Sequence, residues 1–217
     1  MRNSKILEML RLGHIDELKK ELRDEIYQET LKTKPGAKQR YAAMKKYFKY
    51  HKPIREALQK PCQIEFMGKS YTAFTNAWSL ALTSEDVGEI ELYDNDNTNG
   101  YGKYPDVTKF VNFDGNVGEI DISSVIAEAK SKGYKLAKGE VDFHFKYLML
   151  YDGSYYKLGL LDATFGIIND GQPSKVYKAK GDDKRLTIEN DIGVCVVMPV
   201  RLEGNPEEDG KIVIQVD

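Results

Sequence analysis

Apolar positions recur along this chain at two different intervals, and the change of interval divides it. Over residues 4 to 32 the interval is three to four. Ile6, Met9 and Leu10 form one stripe, and Leu18, Leu22 and Ile26 form a second. That spacing puts each set on one face of a helix. Gly13 separates the two helices, with Ser4 and Asp16 as candidate caps. Glu17, Glu21, Glu25 and Glu29 lie within ion-pair reach of Lys19, Lys20 and Arg23 on the solvated side. A helical hairpin over 1–35 is predicted, and Thr33-Lys34-Pro35-Gly36 reads as a linker. A further helical stretch runs from Ala37 to Lys60, with a break at Pro53. From Pro61 the interval drops to two. Gln63 to Met67 alternates, Gly68-Lys69 turns, and Tyr71 to Leu82 forms one return strand.

Residues 84 to 102 are polar and turn-rich. Gly118 to Ile122 reads as a strand, and Ser123 or Ser124 caps a helix from Val125 to Lys132. Glu140 to Tyr151 is strand-like. From Ser154 to Leu202 one helix is followed by three strands. Leu158, Leu161, Phe165 and Ile168 line the helix, and Asn169-Asp170-Gly171 stops it. The strands are Lys175–Ala179, Arg185–Glu189 and the run from Gly193 to Pro199. A polar turn at 204–210 leads to a last strand at Lys211–Val216. The pattern predicts an α+β fold in which strand, helix and strands occur twice.

Charge and composition narrow the chemistry. The 217 residues carry a formal charge of −2, from 32 basic and 34 acidic side chains. A globally basic nucleic-acid coat is excluded, while a local basic face is not. One stretch is locally basic: Lys38, Arg40, Lys45, Lys46, Lys49, Lys52, Arg55 and Lys60, interleaved with Tyr41, Tyr47, Phe48 and Tyr50 and with Glu56 as its only acid. Two readings stand. The helix presents cations to phosphates, or Met44, Tyr47 and Phe48 pack inward and the lysines are merely solvated. Cys62 and Cys195 sit far apart in apolar runs and are expected as buried free thiols. No signal-peptide pattern and no apolar run of the roughly 20 residues needed to span a bilayer appear, so a cytoplasmic protein without membrane partners is expected. The Asp94–Gly100 loop alternates Asp and Asn, but its twelfth position is Pro105, not the Glu of a calcium loop. His14, His51 and His144 are scattered, and no phosphate loop, nucleophile elbow or metal motif is present. No cofactor, no metal and no catalysis are expected, although distant groups can converge to form a site that no motif reveals.

Three short motifs, in order, carry a resemblance. Val196-Val197-Met198-Pro199-Val200-Arg201-Leu202, after a Leu-Leu-x-Ala helix and a short Leu-x-Ile-Glu strand, resembles the C-terminal signature of the bacterial replicative sliding clamp, the beta subunit of DNA polymerase III. Phe74-Thr75-Asn76-Ala77-Trp78-Ser79-Leu80-Ala81 is similar to that family's middle-domain Ala-Thr-Asp-Gly-His-Arg-Leu-Ala. Thr75, Leu80 and Ala81 hold their places, and the other five positions depart. Tyr104-Pro105-Asp106, followed by apolar Phe110, resembles the aromatic-Pro-Asp at the entrance to the family's last domain. The likeness covers about residues 62 to 202. The family has three domains, whereas this chain has room for little more than one and a half, and it continues past the Arg-Leu where the family ends.

The resemblance implies sliding-clamp-like strand-helix-strand modules with an α-helical N-terminal extension. The expected segments are 1–35 as the hairpin, 36–103 as a basic helix with a partial module, 104–202 as a clamp-like domain and 203–217 as an extra strand. It implies a non-catalytic processivity or recruitment factor for DNA replication, holding double-stranded DNA without sequence preference and binding peptide motifs of polymerase or repair proteins. The peptide pocket would be lined by Thr75, Trp78, Leu80, Pro105, Phe110, Val196, Met198, Pro199, Val200 and Arg201. The DNA contacts would come from Lys38, Arg40, Lys45, Lys46, Lys49, Lys52 and Arg55. A homo-oligomer is implied if a ring closes. The alternatives are a clamp-fold adaptor that binds proteins without encircling DNA, and an enzyme whose site no motif reveals.

Overall fold

The computed structural model describes residues 2–50, 53, 55–96, 98–137, 145–179 and 184–216. Three helices come first: α1 (Arg2–Arg11), α2 (Ile15–Thr33) and α3 (Ala37–Tyr50). Helix α1 begins ahead of Ser4, and α2 begins ahead of Asp16, so neither residue is a cap; Asp16 lies in the first turn of α2. Met9 and Leu18 are buried in the hairpin, and Lys5 reaches Glu21 across it at 2.8 Å. Leu10, Leu22 and Ile26, expected on the packed stripes, are exposed instead. Helix α2 meets α3 through Tyr27 and Tyr41, edge to face at 4.9 Å.

The sheet strands are β1 (Cys62–Phe66), β2 (Lys69–Thr75), β3 (Ser79–Thr83), β4 (Gly115–Ile120), β5 (Tyr147–Tyr151), β6 (Ser154–Lys157), β7 (Ser174–Ala179), β8 (Leu186–Glu189), β9 (Gly193–Val197) and β10 (Ile212–Val216). Helix α4 (Ile122–Ser131) follows β4, and α5 (Leu158–Phe165) follows β6. The single return strand expected from Tyr71 to Leu82 is two strands, because Asn76-Ala77-Trp78 turns the chain. The cap of α4 is Asp121, which accepts from the Ser124 amide at 3.0 Å, rather than Ser123 or Ser124. Helix α5 stops at Phe165, three residues short of Ile168, and is preceded by a strand that its Ser-Tyr-Tyr-Lys sequence did not announce. His51, Lys52, His144 and the 140–144 part of the strand expected at 140–151 lie outside the described residues.

Seven strands form one antiparallel sheet in the order β1-β2-β3-β9-β8-β7-β4. The pairing β3–β9 makes the expected 36–103 and 104–202 segments share a single sheet. Period-two alternation then gives the sheet two unlike faces. On the inner face Phe74, Ala81, Cys195, Ile188 and Val176 stand side by side, one per strand. They pack with Met44 and Tyr47 of α3, Val125 and Ala129 of α4, and Leu161 and Phe165 of α5. Burying each large apolar side chain there contributes about 1.5–3 kcal/mol. On the outer face the row is Thr75, Leu80, Val196, Thr187, Tyr177 and Val117. Its cover is the 104–113 segment, through Tyr104, Val107, Val111 and Phe113.

A second, three-stranded sheet has the order β10-β5-β6, with β10 parallel to β5. The two sheets exchange partners: β4 leads into α4 but pairs with β7, and β6 leads into α5 but pairs with β5. Each helix-leading strand thus pairs antiparallel with a strand that follows the other helix. Three strands follow α5 in the large sheet; beside β5, after α4, the described residues place β10.

Candidate functional site

The sequence at the end of β2 shapes a tight turn. The Asn76 side-chain oxygen accepts from the amides of Trp78 at 3.0 Å and Ser79 at 2.8 Å, the local bonding that makes Asn a turn former. The Thr75 hydroxyl donates to the Ser79 carbonyl at 2.7 Å and accepts from the Ala77 amide at 3.2 Å. Ala77 is forced to φ 75°, a left-handed conformation that disfavours any residue with a Cβ. The turn leaves Trp78 65% exposed although it borders the sheet. The Met198 amide donates to the Trp78 carbonyl at 3.0 Å, one step beyond the β3–β9 ladder. Pro199 has no N–H to continue it, and the Val200 amide turns away to the Tyr155 carbonyl at 2.8 Å.

The facing wall comes from a 3-10 turn at Val107–Phe110. Asp106 caps it, accepting from the Thr108 amide at 3.2 Å and hydroxyl at 2.5 Å. These bonds, the hydroxyl's first, hold its carboxyl below the usual range. Arg185 donates to the carbonyls of Lys109 at 3.2 Å and Phe110 at 3.0 Å, tying the wall to the start of β8. Tyr104 is buried behind it and donates to the Ala73 carbonyl at 3.3 Å; burial pushes its phenol up.

Between turn and wall lies a cleft. Of the ten residues expected in a pocket, six line it: Thr75, Trp78, Leu80, Phe110, Val196 and Met198. Ala77 and Ser79, two of the positions that depart from the family motif, also line it. Leu80 and Val196 are floor, nearly buried, while Met198 is half-buried. The other four expected residues are not in the lining. Pro105 is held half-buried between Tyr104 and the cap, and Pro199, Val200 and exposed Arg201 follow the chain towards β6. The cleft holds about 240 Å3 of empty space, its open mouth included. Only about 10 Å3 of that is enclosed, far below the roughly 300–1,000 Å3 typical of sites for whole small molecules, so in this shape the cleft receives at most the tip of one apolar side chain of a longer ligand. The hydroxyls of Thr75 and Ser79 are engaged within the protein, so the surface offered is apolar, with a thioether that adapts its shape.

The basic helix resolves into two faces. Lys38, Lys45 and Lys49 share one exposed face at spacings of seven and four, with Lys46 beside them. The Lys45 ammonium lies 5.3 Å from the Tyr41 ring centroid. Arg40 corrects the expected set of phosphate contacts. It is 1% exposed and points inward, donating to both oxygens of Glu85 at 2.7 and 2.8 Å and to the carbonyls of Asn169 and Pro35 at 2.9 and 3.1 Å. It sits on the same face as buried Met44 and Tyr47 and is spent on structure. Arg55 is exposed but lies beyond the helix and donates to the Lys103 carbonyl at 3.2 Å.

Among the described residues no group of three His, Cys, Asp or Glu could hold a metal ion, and no helix is long and apolar enough to cross a membrane. Cys62 and Cys195 are buried free thiols, and burial pushes both thiols up. Compared with known protein families, curated proteins and solved structures, the chain finds no match.

Proposed function

We propose that the chain is a non-catalytic recruitment protein of sliding-clamp type, whose cleft docks short linear peptides by their apolar side chains. One observation carries the reading. Segments that are far apart in sequence, at 75–80, 110 and 196–198, line a single apolar cleft; they are the segments whose motifs resemble the clamp family. Two features add support. Ala77 occupies a left-handed position where the family motif has Gly. The exchange of strands between the units built on α4 and α5 fits paired strand-helix-strand modules.

The test is direct titration of the wild-type chain with a polymerase-type clamp-binding peptide. The single tryptophan, Trp78, stands at the mouth of the cleft and serves as the fluorescent reporter. Saturable binding, abolished in the Met198→Ala/Phe110→Ala double variant, supports the proposal. No binding by the wild-type chain removes it.

A second reading, contact with double-stranded DNA, rests on the exposed Lys38, Lys45 and Lys49 face. Such contact is made through phosphates and weakens steeply with salt. A chain that binds peptide but no DNA at low salt is the adaptor, and its mass by sedimentation separates a monomer from an oligomer.

A further inference from the structure

We infer that Tyr47 and Thr164 are positioning residues for the cleft, which act through Ser79 to hold the Trp78 turn in its receiving shape. The inference rests on the peptide-docking reading and deepens it.

Ser79 opens β3 and is buried next to Trp78. Its hydroxyl accepts from Thr164 of α5 at 2.9 Å, lies 3.2 Å from the Tyr47 hydroxyl of α3, and donates to the Asn76 side-chain oxygen at 3.2 Å. A serine hydroxyl has one proton and two lone pairs. With that proton given to Asn76, Tyr47 and Thr164 are both donors to Ser79. The Asn76 oxygen also receives the Trp78 and Ser79 amides, so one chain of bonds runs from two helices to the backbone of the turn.

Two observations point to the turn as the purpose of this network. First, the surroundings are otherwise apolar: Tyr47 packs edge to face on Phe48 and Phe74, and Thr164 is fully buried beside Leu161 and Phe165. A polar cluster there costs stability unless every member is bonded. Second, Ala77 sits in a conformation that its own side chain resists. A turn of that kind relaxes unless it is fastened from outside: the Met198 amide holds the Trp78 carbonyl from β9, and the fastening from the helices reaches the turn through Asn76 and Ser79.

The experiment compares full-length Tyr47→Phe and Thr164→Val, which remove one hydroxyl each and keep the packing shape, with Met44→Ala. Met44 lies on α3 in the same core and carries no hydroxyl, so its loss reports general loosening. Two readouts are taken below the unfolding transition: fluorescence anisotropy of Trp78 in the free protein, and affinity for the peptide. Both hydroxyl variants are expected to lower the anisotropy and to weaken binding roughly five- to tenfold each, as loss of one hydrogen bond does. The double variant should weaken it by less than the product, because both act through Ser79. Anisotropy that is unchanged in both variants, or equally lowered by Met44→Ala, overturns the positioning role. A wild-type chain that binds no peptide overturns the docking reading instead, and does so whatever the anisotropy shows.

Discussion

Replacing Arg40 by Leu separates a structural cation from a ligand-binding one. The guanidinium and the Glu85 carboxylate are almost sealed, at 1% and 9% side-chain exposure, and share two bonds of 2.7 and 2.8 Å. Removing one partner of a buried pair costs about 3–5 kcal/mol, because the other charge is left without compensation. Lys34 still reaches Glu85 at 2.7 Å and is half-exposed, so the low end, about 3 kcal/mol, is expected. For a chain of this size that lowers Tm by about 6–12 °C. The loss depends on pH. Burial alone would push the Glu85 carboxyl up, but hydrogen bonds from Arg40 and then Lys34 outweigh it and hold the group below its ordinary 4.5. A carboxyl depressed in the folded state stabilises the fold above its unfolded value, and this is lost as pH falls through the lower folded value. The penalty of Arg40→Leu is therefore largest at neutral pH and shrinks in acid, where Glu85 takes up a proton. Denaturant titrations at pH 7 and near pH 4 measure both. Arg40→Leu with Glu85→Leu should recover most of the loss. A cost under about 1 kcal/mol at pH 7, or one independent of pH, would refute the buried-pair account and return Arg40 to the basic face.

The exposed lysines should behave in the opposite way. Lys38→Ala/Lys45→Ala/Lys49→Ala is expected to change stability by no more than about 0.5 kcal/mol per site. If all three meet phosphates, it should reduce the salt slope of DNA binding by nearly 3; an unchanged slope leaves them as solvated charge. Ala77→Gly should stabilise the chain by up to about 1 kcal/mol, because glycine accepts φ 75° without strain, and a lower denaturation midpoint would count against the strained turn. Deleting 203–217 removes β10 and fully buried Ile214, which should cost about 2–3 kcal/mol and expose the edge of β5 to aggregation. Because β10 contributes nothing to the cleft lining, peptide affinity at low temperature should survive the deletion; its loss would tie the tail to the cleft.

Much of this architecture was legible because hydrophobic periodicity reports burial. The strands at 62–66, 174–179, 186–189 and 193–197 follow from alternation and from turn residues between them. Periodicity failed where local hydrogen bonding overrides it. Thr75-Asn76-Ala77-Trp78 contains neither Gly nor Pro, so the run from Tyr71 to Leu82 reads as one strand. Its break depends on one carboxamide that accepts from two amides. The exposed Leu22 and Ile26 show the converse limit: a stripe at helical spacing says that a helix is amphipathic, not what lies against it. Charge was the least legible property. Composition puts Arg40 with the lysines around it; Glu85, 45 residues away, and the carbonyls of Asn169 and Pro35 turn it inward.

The position of the cleft follows from how the outer face of the sheet is covered. The 104–113 segment lies over the row of Ala73, Leu82 and Val194 through Tyr104 and Val107, and over Tyr177 through Phe113. In the row that runs on to Tyr177, the Leu80 and Val196 part forms the cleft floor, walled by Phe110 from that cover and by Trp78 and Met198. Those two side chains stand on opposite sides of the β3–β9 pairing, at the step where it ends for want of an N–H on Pro199. The floor is thus shared between a strand from the 36–103 segment and one from 104–202, and the cleft exists only while that seam is closed. A ligand held there binds the joined state and not the separated one, so it stabilises the seam by mass action, by about 2.7 kcal/mol at a hundred times its Kd. On the docking proposal, ligand binding and the closure of this seam are one equilibrium. Substitutions that weaken the β3–β9 pairing should lower affinity even when they touch no lining residue.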